Sequence, residues 1–556
     1  MIVKSKQVSA QDAVGMIESG STVVISGNVS LVVPEMVLRS LGARFRETGQ
    51  PRDLVLMLPT RPGWKADPPT GLEHLAQPGL VRRILTATWN GRDSPLWTRM
   101  ALEGGYEAYS YPMGTLFRLL REVASGSPGF LTQVGLNTYA DPGAIPGAGD
   151  MRVTPKCAPQ DLIRRMDLDG ETYLFYRTFP IDVAIIRGTV ADPDGNISLA
   201  GEPVSVGVKY MAMAARNSGG TVIAQVKYLT ERGTLHPRMV EVPGTLVDAV
   251  VVDPESIQSQ LGDYEPALTG EVRTPNPPMR PLPFTHEKII LRRAAMELEQ
   301  GDIVNLGVGI GTHLPSLAVE EGFLDDIVFI LEHGGVGGLP AVGTPDNTGA
   351  FGAHYNPWAI VDSLEVFDFY HGGGLDATFL GFAQVDAEGN INVGWFSGNL
   401  RAPGGFLDIT YRTRKLLFCG TLTAGGGEIA VTPWREGGAP PEVRIVKEGR
   451  VRKLIPRVEQ VNLHGPTAVK RGQRALVITE RGVFQVTASG LELIEVAPGI
   501  DVEQHIRPAV GCNFRVSPAL REMDHRIFAE GPMNLRLSPR TARRRSDHGP
   551  RTTERL

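Results

Sequence analysis

One glutamate stands where a buried strand meets a glycine-rich loop. Residues 327–343 read IVFILEHGGVGGLPAVG, so five apolar residues end in Glu332 and a run of glycines follows at once. A carboxylate that ends an apolar strand is partly desolvated, which costs free energy unless something offsets it. Such a group suits covalent catalysis as a nucleophile. The same pattern also fits an ion pair with a distant Lys or Arg, a helix cap, or simple exposure to solvent.

Four more glycine-rich stretches lie in the second part of the chain. They read NLGVGIGTHLP (305–315), FYHGGGLDATF (369–379), RAPGGFLDIT (401–410) and FCGTLTAGGGE (418–428). Loops after strand ends form the ligand crevice of a parallel sheet, and glycine there lets backbone N–H groups approach a ligand such as one with phosphates. Neither a P-loop nor G-x-G-x-x-G with its acidic partner occurs. Each glycine alone is typical of a tight turn, but the cluster favours a ligand site.

The elements that would position these residues are strands alternating with helices. Short β-branched runs include STVVISG (21–27), VAIIRGTV (183–190) and KLLFCGT (415–421), and amphipathic stretches such as PEMVLRSLGARFRET (34–48) lie between such runs. This alternation predicts an α/β fold with a largely parallel sheet.

The chain also contains an internal repeat. GSTVVISGNVSLVVP at 20–34 aligns with GDIVNLGVGIGTHLP at 301–315, and DVAIIRGTVADPDGNIS at 182–198 aligns with DATFLGFAQVDAEGNIN at 376–392. The identities in each pair are few, but both pairs occur in the same order. We therefore predict two homologous α/β halves that pack face to face, with a site in the cleft between them.

A proline-rich segment marks the boundary between the halves. Residues 270–284, GEVRTPNPPMRPLPF, hold five prolines, which cannot continue a helix or a central strand. The prediction is a first half at 1–269, a linker at 270–284 and a second half at 285–530. Residues 531–556 are rich in Arg and predict a disordered tail.

Composition narrows the class of protein. The 556 residues are 42% hydrophobic and 21% charged, with a net charge of −5, which favours neither nucleic acid nor a membrane surface as partner. The three cysteines are far apart and show no metal-ligand spacing, so we expect no disulfide framework and no metal site. No apolar run reaches the length of a membrane span and the start lacks a signal-peptide pattern, so we expect a cytoplasmic protein.

Many stretches together resemble one known family. They include VGLNTYADP, NSGGTVIAQV, GDIVNLGVGI, GVGGLPAVG, GGGLDATFLG, LLFCGTLTAGG, VEQVNLHG and IEVAPGIDVEQHI, in matching order over about residues 5–530. The chain resembles the family I CoA-transferases, in particular the single-chain acetate/propionate CoA-transferase type of the 3-oxoacid CoA-transferase superfamily, in which two subunit types are fused.

The resemblance implies a fold, a reaction and a set of residues. The fold would be α/β, with two homologous three-layer halves and mainly parallel sheets in one chain. Glu332 would be the nucleophile of an acyl-CoA:carboxylate CoA-transferase. It would form an acyl-glutamyl anhydride and then a glutamyl-CoA thioester, with CoA as substrate and no metal or dissociable cofactor. The partners would be an acyl-CoA and a free carboxylic acid, and a homo-oligomer, dimer or tetramer, is expected. By position, the implied oxyanion donors are Gly425 and Gly426, the acyl-side residues are Asn28 and Val29, and the CoA-side residues are Gly307, Gly309, Gly311, Gly373, Gly374, Gly404 and Gly405.

Departures from the family cluster around the predicted acyl pocket. The family usually has E-N-G or E-S-G where this chain has E-H-G, so His333 either tunes Glu332 through a hydrogen bond or packs away from it. The first-half loop, usually S-G-F-x-G, has Asn28 and Ser30 in place of Phe and Gly. We therefore expect CoA transfer to be kept and the acid to differ from acetate or propionate, with a larger acid as one hypothesis.

Two other functions remain open from the sequence. An acyl-CoA hydrolase would use the same Glu332 intermediate and resolve it with water instead of an acid. A non-catalytic CoA-binding protein is a third alternative, against which the intact Glu332 and the absence of an appended DNA-binding motif argue.

Overall fold

Two large sheets dominate the structure. The computed structural model describes residues 5–143, 146–154, 157–158, 162–275, 277, 279, 281–341 and 350–540. One eight-stranded sheet is built from residues before the proline-rich segment and a second from residues after it. Among the described residues, no helix is long and apolar enough to cross a membrane.

The first sheet has seven parallel strands and one short antiparallel strand. In spatial order the parallel strands are Ala249–Val252, Thr221–Leu229, Val183–Ala191, Thr22–Ile25, Leu54–Leu58, Val81–Thr86 and Glu107–Ser110. Ile197–Ser198 pairs antiparallel with Val183–Ala191. The α-helices of this half are Ala10–Gly15, Glu35–Thr48, Pro95–Glu103, Met113–Ala124 and Val208–Asn217.

The second sheet is parallel over its first five strands. In spatial order its strands are Val328–Phe329, Ile303–Leu306, Ala377–Leu380, Lys415–Cys419, Arg474–Ile478, Gly482–Thr487, Gly490–Val496 and Arg515–Glu522. The sixth and seventh strands run antiparallel to their predecessors, and the eighth is parallel to the seventh. The α-helices of this half are His286–Ala295, Leu314–Glu321, Ser363–His371, Phe406–Thr410 and Gly465–Lys470.

Smaller elements complete the fold. One antiparallel sheet of three strands consists of Gly129–Thr132, Glu171–Arg177 and Ile163–Leu168. The six antiparallel strand pairs are Gly335–Val336 with Ala359–Ile360, Leu339–Pro340 with His354–Tyr355, Gln384–Val385 with Ile391–Asn392, Trp395–Phe396 with Asn399–Leu400, Thr423–Ala424 with Val451–Arg452, and Glu428–Thr432 with Glu442–Lys447. The 3-10 helices are Gly71–Leu75, Pro237–Met239, Gly244–Leu246, Pro266–Leu268, Ile310–His313, Leu324–Asp326, Arg507–Ala509 and His525–Phe528, and Val502–Ile506 is a π-helix.

Both faces of the first sheet are buried, which explains its continuous apolar strands. Val23 and Ile25 enter one core with the helix Glu35–Thr48, whereas Val24 enters a second core with the helix Met113–Ala124. Successive strand residues point to opposite faces, so a sheet covered by helices on both sides needs apolar residues at every position. The α/β fold with mainly parallel sheets is confirmed.

Equivalent hydrogen bonds in the two halves support the predicted duplication. The Asp182 carboxylate accepts a hydrogen bond from the Thr22 N–H at 2.7 Å, and the Asp376 carboxylate accepts one from the Ile303 N–H at 3.0 Å. The turns DPDGN and DAEGN repeat a second arrangement, in which each first Asp accepts hydrogen bonds from the backbone and side chain of its Asn. The aligned residues therefore occupy the same structural positions.

The halves pack against each other through the helices Met113–Ala124 and Ser363–His371. The Phe117 and Phe367 rings stack with centroids 5.8 Å apart, and Arg121 pairs with Asp368 at 2.6 Å. Asp362, at the start of the helix Ser363–His371, accepts a hydrogen bond from the Gly207 N–H at 2.9 Å. One hydrophobic core continues from the first half into the second. This interface lies beside Glu332.

Packed structure extends past the predicted end of the second half at residue 530. Met533 and Leu537 are buried, the Met533 N–H donates to the Glu321 carboxylate, and Arg540 pairs with Asp376 at 2.5 Å. The first ten residues of the predicted disordered tail thus pack onto the fold through two apolar side chains, which the Arg-rich composition of the tail did not indicate. Residues 541–556 lie outside the described residues.

Candidate active site

Glu332 lies at the interface between the halves, just after the strand Val328–Phe329. Its side chain is buried, with 6% of the residue exposed, and Leu331 before it is fully buried. The Glu332 side chain lies against Gly405, where an added Cβ would come within 3.3 Å of the Glu332 Cγ. The glycine therefore leaves the room that the carboxylate occupies.

Glu332 differs from the other buried glutamates in lacking a cationic partner. Among the described residues, the four others each pair with an arginine: Glu202 with Arg187, Glu321 with Arg292, Glu480 with Arg481, and Glu495 with Arg293. No ion pair joins Glu332 to a described residue. Burial raises the pKa of Glu332 to about 7, and the nearby Asp408 carboxylate adds to the rise. A carboxylate held this way is poised for proton transfer or nucleophilic attack near neutral pH.

One amide faces the carboxylate. The Asn305 Nδ2 lies 3.5 Å from the Glu332 Oε2, at the long limit of a hydrogen bond, and this contact lowers the pKa of Glu332 against the effect of burial. Asn305 is held in turn by the Thr378 hydroxyl at 3.2 Å and the Tyr370 hydroxyl at 3.2 Å. Sequence reasoning missed Asn305, although it is the single polar residue in the otherwise apolar strand IVNL.

His333, the residue after Glu332, packs against the protein interior. Its Nδ1 lies 3.3 Å from the Ser363 Oγ, and its ring crowds Gly352, where an added Cβ would come within 2.6 Å of the His333 Cβ. Burial lowers the pKa of His333 to about 3, so the imidazole is neutral at physiological pH. These contacts favour the packing alternative, and a hydrogen bond from His333 that tunes Glu332 stays a prediction.

The first half reaches the same region through Asn28. Its Nδ2 donates to the Phe351 carbonyl at 2.9 Å, next to the Gly352 that contacts His333. Val29 adopts a left-handed conformation with φ of 53°, which is strained for a β-branched residue. The structure therefore brings Asn28 and His333 to one rim of the cleft, with Val29 beside Asn28.

The glycines after Glu332 serve close packing of the backbone. A Cβ on Gly334 would lie 1.7 Å from the Val361 carbonyl oxygen, and one on Gly338 would lie 2.3 Å from the Tyr355 carbonyl oxygen. The chain between residues 350 and 361 thus lies directly on this loop. The sequence pattern suggested a ligand there, whereas at these two positions the neighbour is the protein's own backbone.

The switch point of the second sheet, where a parallel sheet forms its ligand crevice, lies next to the strand before Glu332. The chain leaves Ile303–Leu306 toward one edge of the sheet and Ala377–Leu380 toward the other, which is where parallel sheets bind ligands. Gly307 and Gly381 follow these two strands, and Gly309 approaches Gly381 with an added Cβ 3.7 Å from the Gly381 Cα. Gly311 packs tightly on Phe379. Gly307, Gly309 and Gly311 are thus brought together at this crevice.

The first half fills the equivalent crevice with side chains. Ser26 corresponds to Gly307, since the Ser26 and Gly307 N–H groups donate to the equivalent carbonyls of Ile185 and Phe379. Arg187 corresponds to Gly381 in the aligned segments, and its buried guanidinium pairs with Glu202 at 3.1 Å. The two halves therefore differ at this switch point, because Ser26 and Arg187 in the first half stand where the second half has Gly307 and Gly381.

The other predicted glycines are dispersed. Gly404 donates its N–H to the Ala87 carbonyl of the first half, which places the Gly404–Gly405 pair at the interface beside Glu332. Gly373 and Gly374 follow a helix and precede the strand Ala377–Leu380, so they lie at the opposite edge of the sheet from Gly307. That position separates Gly373 and Gly374 from the crevice, and a role for them in CoA binding stays a prediction.

Gly425 and Gly426 lie on an exposed hairpin. They follow Thr423–Ala424, and an added Cβ on Gly425 would contact Val451 and Arg450. A role for these two glycines as oxyanion donors at Glu332 stays a prediction. Asn305 is the described side-chain donor that faces the Glu332 carboxylate.

A buried acid–imidazole pair completes the surroundings. Asp408 accepts hydrogen bonds from the Gly114 N–H of the first half at 3.0 Å and from the His371 Nε2 at 2.9 Å. Sequence reasoning missed both Asp408 and His371, because their partners are distant in the chain. Their contacts fix the interface helices next to Glu332.

Fold and site together define an enzyme class, and comparison with known proteins identifies it. The model of the family Coenzyme A transferase matches residues 7–253. The chain is 36% identical to "Acetate CoA-transferase YdiF" of Escherichia coli strain K12 over 95% of this chain and 96% of the relative. It belongs to the coenzyme A transferase family and is an enzyme that transfers CoA.

One further curated relative and two solved structures are also similar to this chain. "Caffeate CoA-transferase" of Acetobacterium woodii is 38% identical over 95% of this chain and 98% of the relative. The crystal structure of the YdiF apoenzyme from Escherichia coli O157:H7 matches with a TM-score of 0.88 and 35% identity, covering 97% of this chain and 99% of that one. A YdiF structure described as a thioester complex with CoA matches with a TM-score of 0.87 and 35% identity, covering 97% and 98% of the two chains.

Proposed function

We propose that the protein is an acyl-CoA:carboxylate CoA-transferase that works by ping-pong chemistry on Glu332. The observation that carries this proposal is the buried, uncompensated Glu332 carboxylate at the interface of the halves. Desolvating a carboxylate without a cation costs free energy, and structural glutamates elsewhere in the chain avoid that cost with arginine. The same state makes a carboxylate more reactive as a nucleophile, because neither water nor a cationic partner stabilises its charge.

The proposed reaction balances over two half-reactions. The Glu332 carboxylate attacks the thioester carbonyl, the C–S bond breaks, and CoA leaves as a thiolate, which gives an acyl-glutamyl anhydride. The thiolate then attacks the glutamyl carbonyl, so the first acid leaves as a carboxylate and a Glu332–CoA thioester remains. A second carboxylate repeats these steps in reverse and leaves with CoA, which restores Glu332.

The surroundings of Glu332 support each requirement of this route. Asn305 Nδ2 is directed toward the carboxylate and can donate to the oxyanion that forms on the glutamyl carbonyl. Gly405 leaves space at the Glu332 Cγ for a covalent adduct. The interface excludes water around a residue that is 6% exposed, which protects an anhydride and a thioester from hydrolysis.

We also propose that the acid is larger than acetate. His333 and Asn28, two positions that differ from the usual family pattern, meet at the same rim of the cleft through Phe351 and Gly352. A relative that is 38% identical carries the name "Caffeate CoA-transferase", and caffeate is an aromatic acid. An aromatic or other bulky carboxylate is therefore the first class of acid to screen.

The test of the nucleophile uses trapping. The protein is incubated with an acyl-CoA, treated with borohydride, digested, and the peptide that contains Glu332 is analysed by mass spectrometry. A reduced Glu332 is expected in the wild type and not in Glu332→Gln, while a matched variant of an ion-paired buried glutamate, Glu495→Gln, keeps the label. An unmodified Glu332 in an active enzyme would refute the proposal.

The identity of the acceptor is tested separately. Free acids are added to an acyl-CoA, and new thioesters are followed by chromatography. Formation of a new acyl-CoA with a bulky acid supports transfer to that acid. Loss of thioester with labelled Glu332 and no new acyl-CoA for any acid would show a hydrolase instead.

A further inference from the structure

Two polar side chains are buried next to each other in the second sheet. Asn305 and Thr378 lie on the neighbouring parallel strands Ile303–Leu306 and Ala377–Leu380, where they are partners in register, and both residues are fully buried. The Thr378 hydroxyl donates to the Asn305 Oδ1 at 3.2 Å. Replacing both members of such a pair by apolar residues of the same shape is nearly neutral or stabilising, so stability alone does not account for the pair.

The first half has an apolar pair at the equivalent positions. In the repeated segments Asn305 aligns with Val24 and Thr378 aligns with Ala184. Val24 and Ala184 are likewise register partners on neighbouring parallel strands, and both are fully buried. The fold therefore accepts apolar residues at this place, and the polar pair occurs in the half that carries Glu332.

Tyr370 contacts the same amide from the interface helix Ser363–His371. The Tyr370 hydroxyl donates to the Ile330 carbonyl at 2.8 Å, and since a phenol has one hydrogen, its oxygen accepts from the Asn305 Nδ2 at 3.2 Å. The Asn305 Nδ2 also lies 3.4 Å from the Ile330 carbonyl oxygen and 3.5 Å from the Glu332 Oε2. Its two hydrogens thus face three acceptors, of which the Tyr370 oxygen is the nearest.

These contacts favour one orientation of the Asn305 amide. If the amide were turned over, its Oδ1 would face the Tyr370 oxygen, the Ile330 carbonyl and the Glu332 carboxylate, which are all acceptors. In the observed orientation the Thr378 hydroxyl supplies the donor that the Oδ1 needs on the opposite side. The pattern of donors and acceptors therefore directs the N–H groups of the amide toward Glu332.

We propose that Thr378 and Tyr370 are positioning residues for the reaction of Glu332, because together they hold the Asn305 amide as a donor to the glutamyl carbonyl. This inference rests on the proposed function. Thr378 fixes the side of the amide that faces Glu332. Tyr370 holds one amide hydrogen and leaves the other to be shared between the Ile330 carbonyl and Glu332.

The long resting contact suits a donor that acts in the transition state. The Glu332 Oε2, which Asn305 faces, becomes the carbonyl oxygen of the acyl-glutamyl anhydride. When the CoA thiolate adds to that carbonyl, a C–S bond forms and the π electrons move to this oxygen, where the amide meets a full negative charge. Hydrogen bonds to a charged oxygen are shorter and stronger, so the contact stabilises the intermediate more than the resting state.

Thr378→Val removes the hydroxyl and keeps the shape of the side chain. The Asn305 Oδ1 then lacks its donor, so the amide loses its fixed orientation. We expect the rate of Glu332–CoA thioester formation at saturating acyl-CoA, followed by quenched flow and mass spectrometry, to fall about tenfold. The acyl-CoA concentration that gives half the maximal rate should change little, since Thr378 is fully buried. Thr378→Ser keeps the hydroxyl and should restore the rate.

The pH profile distinguishes positioning from packing. Thr378→Val weakens a contact that lowers the pKa of Glu332, so the pH midpoint of thioester formation should move upward. Tyr370→Phe frees an amide hydrogen for Glu332, so the midpoint should move downward. Asp408 and His333, the other titratable groups beside Glu332, are the same in both variants. A simple loss of packing would not give shifts of opposite sign.

The matched control is Thr413→Val. Thr413 is also buried, and its hydroxyl donates to the Ile409 carbonyl, but it precedes the strand Lys415–Cys419 and so lies at the opposite edge of the sheet from Glu332. This variant should lower the unfolding midpoint and leave thioester formation unchanged. Thermal unfolding of every variant verifies folding.

Three results would overturn the proposal: a wild-type rate in Thr378→Val, a loss that Thr378→Ser does not restore, or pH midpoints that move in the same direction in Thr378→Val and Tyr370→Phe. Borohydride trapping at Glu332 in the wild type is scored separately. A labelled Glu332 together with one of these results would refute the positioning role alone, whereas an unlabelled Glu332 in an active enzyme would refute the proposed function.

Discussion

Replacing Glu332 by glutamine should stabilise the protein, and by an amount that depends on pH. The folded pKa of about 7 lies above the ordinary value of 4.5, so the neutral form is favoured by folding. Below about pH 4.5 Glu332 is protonated in both the folded and the unfolded state, so folding buries no charge and stability carries no penalty. The penalty grows as pH rises to 7 and is complete above it. The pKa rises by about 2.5 units, and at 1.36 kcal/mol per unit this lowers the free energy of unfolding by roughly 3 kcal/mol at pH 8. Glu332→Gln should restore that amount.

The assay compares thermal unfolding of wild type and Glu332→Gln between pH 5 and pH 8. A change of this size shifts the midpoint of a domain of about 200 residues by several degrees, and by less if the whole chain unfolds as one unit. The control is Glu495→Gln, whose carboxylate is paired with Arg293 and Arg521 and has a lowered pKa. This variant should be destabilised at pH 8, the opposite sign. Equal midpoints for wild type and Glu332→Gln at every pH would show that the Glu332 carboxylate is not desolvated at a cost.

Three further outcomes follow from the site. Because only the carboxylate attacks, the single-turnover rate of Glu332 acylation should fall about tenfold per pH unit below 7 and level off above 8, as measured by quenched flow. Asn305→Ala removes a contact that lowers the pKa of Glu332 and a donor to the oxyanion, so kcat should fall tenfold or more at pH 7 and the pH profile should move upward; a flat effect across pH would argue against this role. Gly381→Arg, which copies the first half, should lower the unfolding midpoint by several degrees in calorimetry, because a Cβ at position 381 would lie 2.9 Å from the Val308 carbonyl oxygen; an unchanged midpoint would show that the two loops are not in close contact.

The fold was largely predictable because its signals are local and repeated. Apolar strands such as VAIIRGTV, buried on both faces, alternate with helices, and the Asp–Gly–Asn turns of the two halves make the same hydrogen bonds. What escaped prediction is the packing of residues 531–540. Met533 and Leu537 are two apolar side chains within an Arg-rich stretch, and their burial depends on a surface assembled from distant segments.

The burial of Glu332 was predictable from its neighbours in the chain, whereas its environment was not, and its role as a nucleophile stays a prediction. A glutamate after five apolar residues predicts desolvation, and the structure shows a buried carboxylate. Asn305, Asp408 and Gly405 come from other strands and loops, and no spacing relates them to Glu332. The same limit explains the glycines: the pattern at Gly334 and Gly338 is identical whether the close neighbour is a ligand or the backbone of residues 350–361.

The comparison of the halves shows what stands in place of Glu332 in the first half. The strand pairings align Thr22 with Ile303 and Val55 with Val328, so Glu332 corresponds to Pro59 in the first half. Proline has neither a carboxylate nor an N–H, and Ser26 and Arg187 fill the crevice beside it. The first half therefore carries a buried ion pair where the second half carries glycine. The first half instead places Asn28 and the helix Met113–Ala124 against the second half, at the interface beside Glu332.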